Sequence, residues 1–169
     1  MISVESIMTP DPVTLRAEDT LATAHTLMTE KHIHHIPIVG DKEELIGLIS
    51  HRDVLAASGS TLNTNPSDNS NAPVSQIMTT TVVSIPPETG TLKAAQYIHK
   101  SRHGCLPVVD EGILIGIITE YDFVEVAISL LERRSGKPFE DYPDTEEEYS
   151  GADSPEDLGI DISSAQNWD

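Results

Sequence analysis

Apolar and polar positions follow one another in the same order twice along this chain. The matching segments are Ile7-Met8-Thr9 and Ile77-Met78-Thr79, Pro37-Ile38-Val39 and Pro107-Val108-Val109, and Gly47-Leu48-Ile49-Ser50 and Gly116-Ile117-Ile118-Thr119. The register slips by only one residue between the two copies. A duplicated unit of about 55 residues predicts two similar halves that pack about a pseudo-two-fold axis, with two similar clefts at their seam.

Within each copy the pattern alternates between strand and helix periodicity. In the first copy we expect a strand at 13–15, a helix capped by Asp19 or Thr20, strands at 36–39 and 45–49, and a helix at 51–57 capped by Ser50. In the second copy we expect a strand at 82–85, a helix at 91–102 and strands at 106–109 and 113–118. A longer helix is expected after its cap, Thr119. The expected fold class is α/β (α+β), with two β-α-β-β-α repeats packed as a pseudo-two-fold pair.

The composition divides the chain into four segments. We expect repeat 1 at 1–57, a flexible linker rich in Ser, Asn, Thr and Pro at 58–73, repeat 2 at 74–134, and a tail at 135–169. Residues 132–169 carry 12 acidic and 3 basic side chains, so we expect this acidic tail to be disordered. The last helix has a surplus apolar stripe, formed by Phe123, Val124, Ala127, Leu130 and Leu131, which favours self-association.

Charge and cysteine content limit the possible partners and compartment. The formal net charge of −18 argues against nucleic acid, whose binding depends on Lys and Arg. The single cysteine, Cys105, excludes a disulfide within the chain and favours a reducing compartment. No apolar run approaches the roughly 20 residues that span a bilayer, and the start of the chain does not resemble a signal peptide. We therefore expect a cytoplasmic protein without a membrane partner.

The pattern that points to chemistry is Gly-apolar-apolar-Ser/Thr-x-x-Asp, at 47–53 and again at 116–122. A strand ends, its hydroxyl residue caps the next helix, and a carboxylate lies in the first turn. Free amides at a helix start favour a phosphate, while a carboxylate suits a pair of ribose hydroxyls. The alternative is a plain capping box, in which Asp53 or Asp122 stabilises its own helix. Recurrence in both copies favours a nucleoside-phosphate cleft.

Taken together, these residues resemble a tandem pair of CBS (cystathionine-β-synthase) domains, a Bateman module. The resemblance covers about residues 1–134 and depends on the Ile-Met-Thr openings, the two Pro-containing strands and the two Ser/Thr-x-x-Asp endings. It implies a β-α-β-β-α fold in each copy and modules that usually dimerise. It also implies regulatory binding of an adenosine-containing ligand, commonly AMP, ADP, ATP or S-adenosylmethionine, with no other cofactor required.

The resemblance further implies that each site combines a ribose-binding Asp from one copy with adenine-side residues from the other. Site one is expected to use Ser50, Arg52, Asp53, Thr79, Ser84, Gly104 and Cys105. Site two is expected to use Thr9, Thr14, His34, His35, Thr119 and Asp122. In some relatives, basic residues just before the Pro-containing strand reach phosphates. Because this position holds histidines in copy 1 but Gly104-Cys105 in copy 2, we prefer site two for a phosphorylated ligand.

The histidines His32, His34 and His35 admit other interpretations. A metal site is not expected, because neighbouring residues of an extended segment face opposite sides. Phosphate contacts near neutral pH and surface histidines without a role both remain open. If the histidines contact phosphate, binding should strengthen as the pH falls, because only the imidazolium is charged.

No catalytic centre is expected. Cys105 and His103 lack a third orienting group, and Asp53 and Asp122 belong to separate clefts. The leading hypothesis is a non-catalytic sensor that binds an adenosine-containing ligand and signals in trans to an effector protein that the sequence does not identify. The alternative is a ligand-free dimerisation or scaffold module with vestigial clefts.

Overall fold

The structure, a computed structural model, describes residues 2–57, 70–101 and 104–135. Within the described residues, both repeats lie in one compact unit that extends to residue 131. Most of the predicted linker, residues 102 and 103, and the predicted acidic tail from 136 onward lie outside the described residues. The segment boundaries expected from composition therefore stay predictions.

Repeat 1 contains a helix, a two-stranded hairpin and a second helix. These elements are α1 (Leu21–Glu30), β2 (His35–Val39), β3 (Leu45–Ser50) and α2 (His51–Ala57). Thr20 caps α1, because its Oγ1 accepts a hydrogen bond from the N–H of Thr23 over 3.1 Å. Leu21, Ala24 and Met28 of the predicted apolar face are buried, whereas Leu27 is half-buried.

Repeat 2 has the same order of elements with a longer final helix. Its elements are α3 (Thr91–Ser101), β4 (Cys105–Asp110), β5 (Ile113–Thr119) and α4 (Glu120–Ser135). β4 and β5 pair antiparallel, as β2 and β3 do in repeat 1. The predicted mixed fold of two similar repeats is confirmed.

The opening segment of each repeat pairs with the other repeat. β1 (Thr9–Pro10) lies antiparallel to β5, with Thr9 opposite Ile117. In the opposite direction, Thr79 forms a bridge with Leu48 of β3 through two backbone hydrogen bonds of 2.9 Å. The two repeats therefore exchange their opening segments.

The exchange places a methionine of one repeat on a glycine of the other. A Cβ atom at Gly47 would lie 2.7 Å from Sδ of Met78, and Gly116 faces Met8 in the same way. A side chain larger than hydrogen at either glycine would displace the methionine. This contact explains why both a glycine and an Ile-Met-Thr opening recur in the sequence.

Each repeat has its own core, completed by the opening segment of the other repeat. The first core includes the fully buried Val74, with Ile77 and Met78 packed against it. The second includes the fully buried Val4, with Ile7 and Met8. Complete burial of a valine side chain contributes about 1.5–3 kcal/mol, so the exchanged segments add substantially to both cores.

The strands predicted at 13–15 and 82–85 are not formed as strands. Each is reduced to one parallel bridge, Leu15 to Ile38 and Ile85 to Val108. The physical reason is a proline in each neighbouring strand, because Pro37 and Pro107 have no N–H to donate to the next carbonyl of the ladder. Pairing therefore stops after one residue.

Candidate ligand-binding site

β3 and α2 meet at a turn that fixes the carboxylate of Asp53. Ser50 ends β3, and its N–H and Oγ donate to Oδ2 of Asp53 over 2.9 and 2.6 Å. The N–H of Asp53 donates back to Oγ of Ser50 over 3.3 Å. This reciprocal pair satisfies free groups at the helix start, as expected for a hydroxyl cap.

The equivalent turn in repeat 2 has one additional contact. The N–H and Oγ1 of Thr119 donate to Oδ2 of Asp122 over 2.5 and 2.8 Å. Oγ1 of Thr9 also donates to Oδ1 of Asp122, over 3.4 Å. Asp122 is buried, with 9% of its surface exposed, and both of its carboxylate oxygens have a partner.

Asp53 instead borders an open cavity of about 730 Å³. Its hydrogen bonds to described residues all use Oδ2, which leaves Oδ1 available to a ligand. This volume lies within the range of small-molecule sites, about 300–1,000 Å³. The cavity is lined by His34, His35, Leu48, Ser50, His51, Arg52, Asp53, Leu55, Thr79, Thr81, Val82, Val83, Gly104, Cys105 and Glu120.

The starts of β2 and β4 approach each other closely at this cavity. A Cβ atom at Gly104 would lie 2.6 Å from Cε1 of His35, so a larger residue would push the imidazole away. The glycine in copy 2 therefore makes room for the histidine in copy 1. The two positions belong to one cleft.

This proximity changes how the predicted site residues are grouped in space. Of the site-one residues, Ser50, Arg52, Asp53, Thr79, Gly104 and Cys105 line the cavity, whereas the exposed Ser84 does not. Of the site-two residues, His34 and His35 line this same cavity. Thr9, Thr119 and Asp122 meet at the second turn, and Thr14 is half-buried beside the Leu15 bridge.

Several lining residues were not among the predicted site residues. Val82 and Val83 come from the segment expected to form a strand and Thr81 directly precedes it, while Leu48 and Leu55 add apolar surface. Glu120 is the first residue of α4. It occupies the motif position that His51 has in repeat 1. Only the pairing of the two repeats brings that position into the cleft, so spacing along the chain could not reveal it.

Burial and the neighbouring charged groups shift the pKa of His35. Burial, followed by the neighbouring His34, lowers the pKa of His35, while Asp53 and Glu120 partly raise it. The net direction is downward, so the neutral form of this imidazole is favoured in the cavity. An anionic ligand would oppose this effect.

Cys105 borders the cavity as a neutral thiol. Burial raises the pKa of this thiol to about 12. The thiolate is the nucleophilic form, so the surroundings of Cys105 do not favour nucleophilic chemistry.

The sequence pattern predicted that His34 and His35 face opposite sides of an extended segment. The structure differs from this prediction. His34 and His35 both border the cavity, because β2 begins only at His35 and His34 is not yet part of the strand. Within the described ranges, no three His, Cys, Asp or Glu side chains are arranged to hold a metal ion.

The apolar stripe predicted on the last helix divides between core and surface. Phe123 is half-buried and packs against the core of repeat 2. Val124, Leu130 and Leu131 are more than half exposed. α4 thus presents an apolar surface beyond what repeat 2 buries.

Comparison with known proteins identifies the family. The CBS domain model matches residues 4–60 and 74–129, the two repeats described above. The chain belongs to the CBS domain family. Among the described helices of this CBS pair, none is both long enough and apolar enough to cross a membrane.

Solved structures of similar proteins have the same fold. This CBS pair is 42% identical to a protein assigned to acetoin utilization, AcuB from Vibrio cholerae, with a TM-score of 0.72 over 82% of this chain and 99% of that one. It is 28% identical to CBSX2 from Arabidopsis thaliana, solved in complex with AMP, with a TM-score of 0.68 over 78% of this chain and 99% of that one.

The pair is also similar to part of a larger enzyme. It is 36% identical to the homoserine O-acetyltransferase of Methanococcus vannielii over 117 residues, 69% of this chain and 23% of that enzyme. The chain thus spans about a quarter of the length of curated enzyme relatives of this kind. The similarity lies in the CBS region of these larger proteins.

Proposed function

We propose that this CBS pair is a non-catalytic regulatory module that binds an adenosine-containing ligand in the cavity beside Asp53. The observation that carries the proposal is the position of Asp53 at the wall of an open cavity of about 730 Å³, with its hydrogen bonds to described residues all on Oδ2. The complex of the similar CBSX2 with AMP supports the choice of ligand class. The ligands to consider are AMP, ADP, ATP and S-adenosylmethionine.

The cavity wall suggests a role for each group of residues. Oδ1 of Asp53 would accept from the ribose hydroxyls, and the apolar Leu48, Val82 and Val83 would cover the adenine. His34 and His35 would face the phosphate. Because these histidines line the cavity with Asp53, we assign the phosphorylated ligand to this cleft, whereas the sequence alone favoured the cleft of Asp122.

Calorimetric titration of the full chain with adenosine, AMP, ATP and S-adenosylmethionine tests the proposal. We expect saturable heat with at least one of these compounds and its loss in Asp53→Asn. Asparagine keeps the size of the side chain, and its amide oxygen can still accept a hydrogen bond from Ser50 at the start of α2. The matched control is Asp122→Asn, which changes the same motif in repeat 2 and should retain binding.

Two outcomes would contradict the proposal. One is the absence of heat with all four compounds from a folded sample, which would favour a ligand-free scaffold. The other is binding that survives Asp53→Asn but is lost in Asp122→Asn, which would move the site to the second cleft.

We also propose that two copies of the chain associate through α4 and that the module acts on an effector in trans. The exposed Val124, Leu130 and Leu131 support this interface. Light scattering at micromolar concentration should give twice the chain mass of 18.4 kDa, and Leu130→Glu should lower it toward a monomer. A monomeric mass for the unchanged chain would contradict a dimer.

A further inference from the structure

Three histidine rings, here called the histidine stack, form a chain of ring contacts that reaches the cavity. The rings of His25 on α1 and His51 on α2 are stacked, with centroids 6.2 Å apart. The ring of His34 meets the ring of His51 edge-on, with their centroids 5.9 Å apart. His34 and His51 line the cavity, so His25 lies one ring away from it.

The charged groups around the cavity are nearly balanced without these histidines. Arg52 contributes one positive charge, and the carboxylates of Asp53 and Glu120 contribute two negative charges. Cys105 is neutral because burial raises the pKa of its thiol to about 12. Each histidine that takes up a proton adds one positive charge, so protonation of two lining histidines reverses the sign of the net charge.

Proton uptake at these histidines and anion binding favour each other. Adjacent imidazolium ions repel, and a phosphate placed among them removes this penalty. His35 illustrates the effect, because burial and His34 both lower its pKa. Histidine is the side chain whose charge changes most readily between pH 5 and pH 8. A phosphate should therefore bind together with protons.

We infer that the His25–His51–His34 stack and His35 make the cavity a proton-linked site, where acidification favours a phosphate-bearing adenosine ligand over a cationic one. The inference rests on the proposed function, since it concerns regulation of the same cavity. It goes further by assigning a role to His25, which does not line the cavity, and by predicting how ligand choice depends on pH.

Calorimetric titration of the full chain between about pH 8 and pH 6.5 tests this inference. AMP affinity should rise about tenfold per pH unit for each proton taken up, whereas adenosine affinity should stay constant. The affinity for S-adenosylmethionine, whose sulfonium and ammonium groups give it a net positive charge, should not rise. This range stays above the second phosphate pKa of about 6, so ligand titration contributes little.

Two variants separate the stack from other sources of pH dependence. His51→Asn removes the central ring and should flatten the dependence of AMP affinity on pH. His25→Asn should reduce the dependence of AMP affinity on pH, although His25 does not line the cavity. His99→Asn is the matched control, because His99 is exposed on α3 and does not line the cavity. For any variant that fails to fold, titrating the unchanged chain in two buffers of different ionisation enthalpy still counts the protons taken up.

The results distinguish the two proposals. Three results would overturn the inference. They are an equal pH dependence of the affinities for AMP and adenosine, no proton uptake when AMP binds, and an unchanged pH dependence of AMP affinity in both folded variants, His51→Asn and His25→Asn. Failure of every adenosine compound to bind at any pH would instead overturn the proposed function.

Discussion

Asp53 and Asp122 occupy the same position in two copies of one motif, yet their surroundings differ. Both accept two hydrogen bonds at Oδ2 from the residue that caps their helix. Asp122 also accepts from Thr9, whereas the hydrogen bonds of Asp53 to described residues all use Oδ2, and Asp53 lines the cavity. The sequence predicts the shared capping role. It cannot predict the difference, which depends on contacts between distant segments.

His35 supplies a prediction at this scale. Burial and His34 lower its pKa below the ordinary value of 6.5, so the folded chain binds fewer protons than the unfolded chain between those two values. The stabilisation is present above pH 6.5 and is lost as the pH falls through this window. Urea denaturation at several pH values should show a smaller loss in His35→Asn than in the unchanged chain.

The matched control for His35 is His99→Asn, since His99 is an exposed residue of α3. It should retain the pH dependence of the unchanged chain. An identical loss of stability in His35→Asn and the unchanged chain would contradict the lowered pKa.

At the scale of elements, prolines decide where the pairing between neighbouring strands stops. The periodicity predicts the order of helices and hairpins, because their apolar faces repeat at regular spacing. It does not predict that 13–15 and 82–85 form only single bridges, since that outcome depends on the missing N–H groups of Pro37 and Pro107 in the neighbouring strands. A two-residue strand such as β1 has too short a pattern to indicate its partner.

The contact between β3 and the second opening segment supplies the prediction at this scale. Gly47→Ala should destabilise the fold by about 1–3 kcal/mol, because the added Cβ atom would lie 2.7 Å from Sδ of Met78. The double variant Gly47→Ala, Met78→Ala should lose less free energy of unfolding than the two single variants together. The difference should be about 0.5–3 kcal/mol, measured by denaturant unfolding.

Gly116→Ala combined with Met78→Ala is the control pair, because Gly116 faces Met8 and not Met78. These two changes should be additive. Additivity in the Gly47 pair as well would show that the close contact does not contribute to stability.

At the scale of the whole molecule, the repeats depend on one another. The duplication predicts two halves with clefts at their seam, and the structure has two similar halves with a cavity lined by residues of both. The exchange of opening segments could not be predicted, because an equally amphipathic segment could pack on its own repeat. The position of His34 and His35 beside Asp53 follows from the approach of β2 and β4 at Gly104, a long-range contact without a periodic signal in the sequence.

Interdependence predicts that neither half folds alone. A fragment of residues 1–69 lacks Val74, Ile77 and Met78 from its core, and a fragment of residues 70–135 lacks Val4 and its neighbours. Each fragment alone should show no cooperative thermal unfolding by circular dichroism, and an equimolar mixture should regain it. A fragment that unfolds cooperatively by itself at the temperature of the intact chain would contradict this prediction.

The central claim is that an adenosine-containing ligand occupies the cavity between the Ser50–Asp53 turn and the seam at Gly104. A crystal structure of the full chain grown with AMP tests it most directly. We predict the ribose hydroxyls within hydrogen-bond distance of Oδ1 of Asp53, and the phosphate beside His34 and His35. AMP bound at Asp122 with the Asp53 cavity empty, or no AMP at either turn at saturating concentration, would contradict the claim.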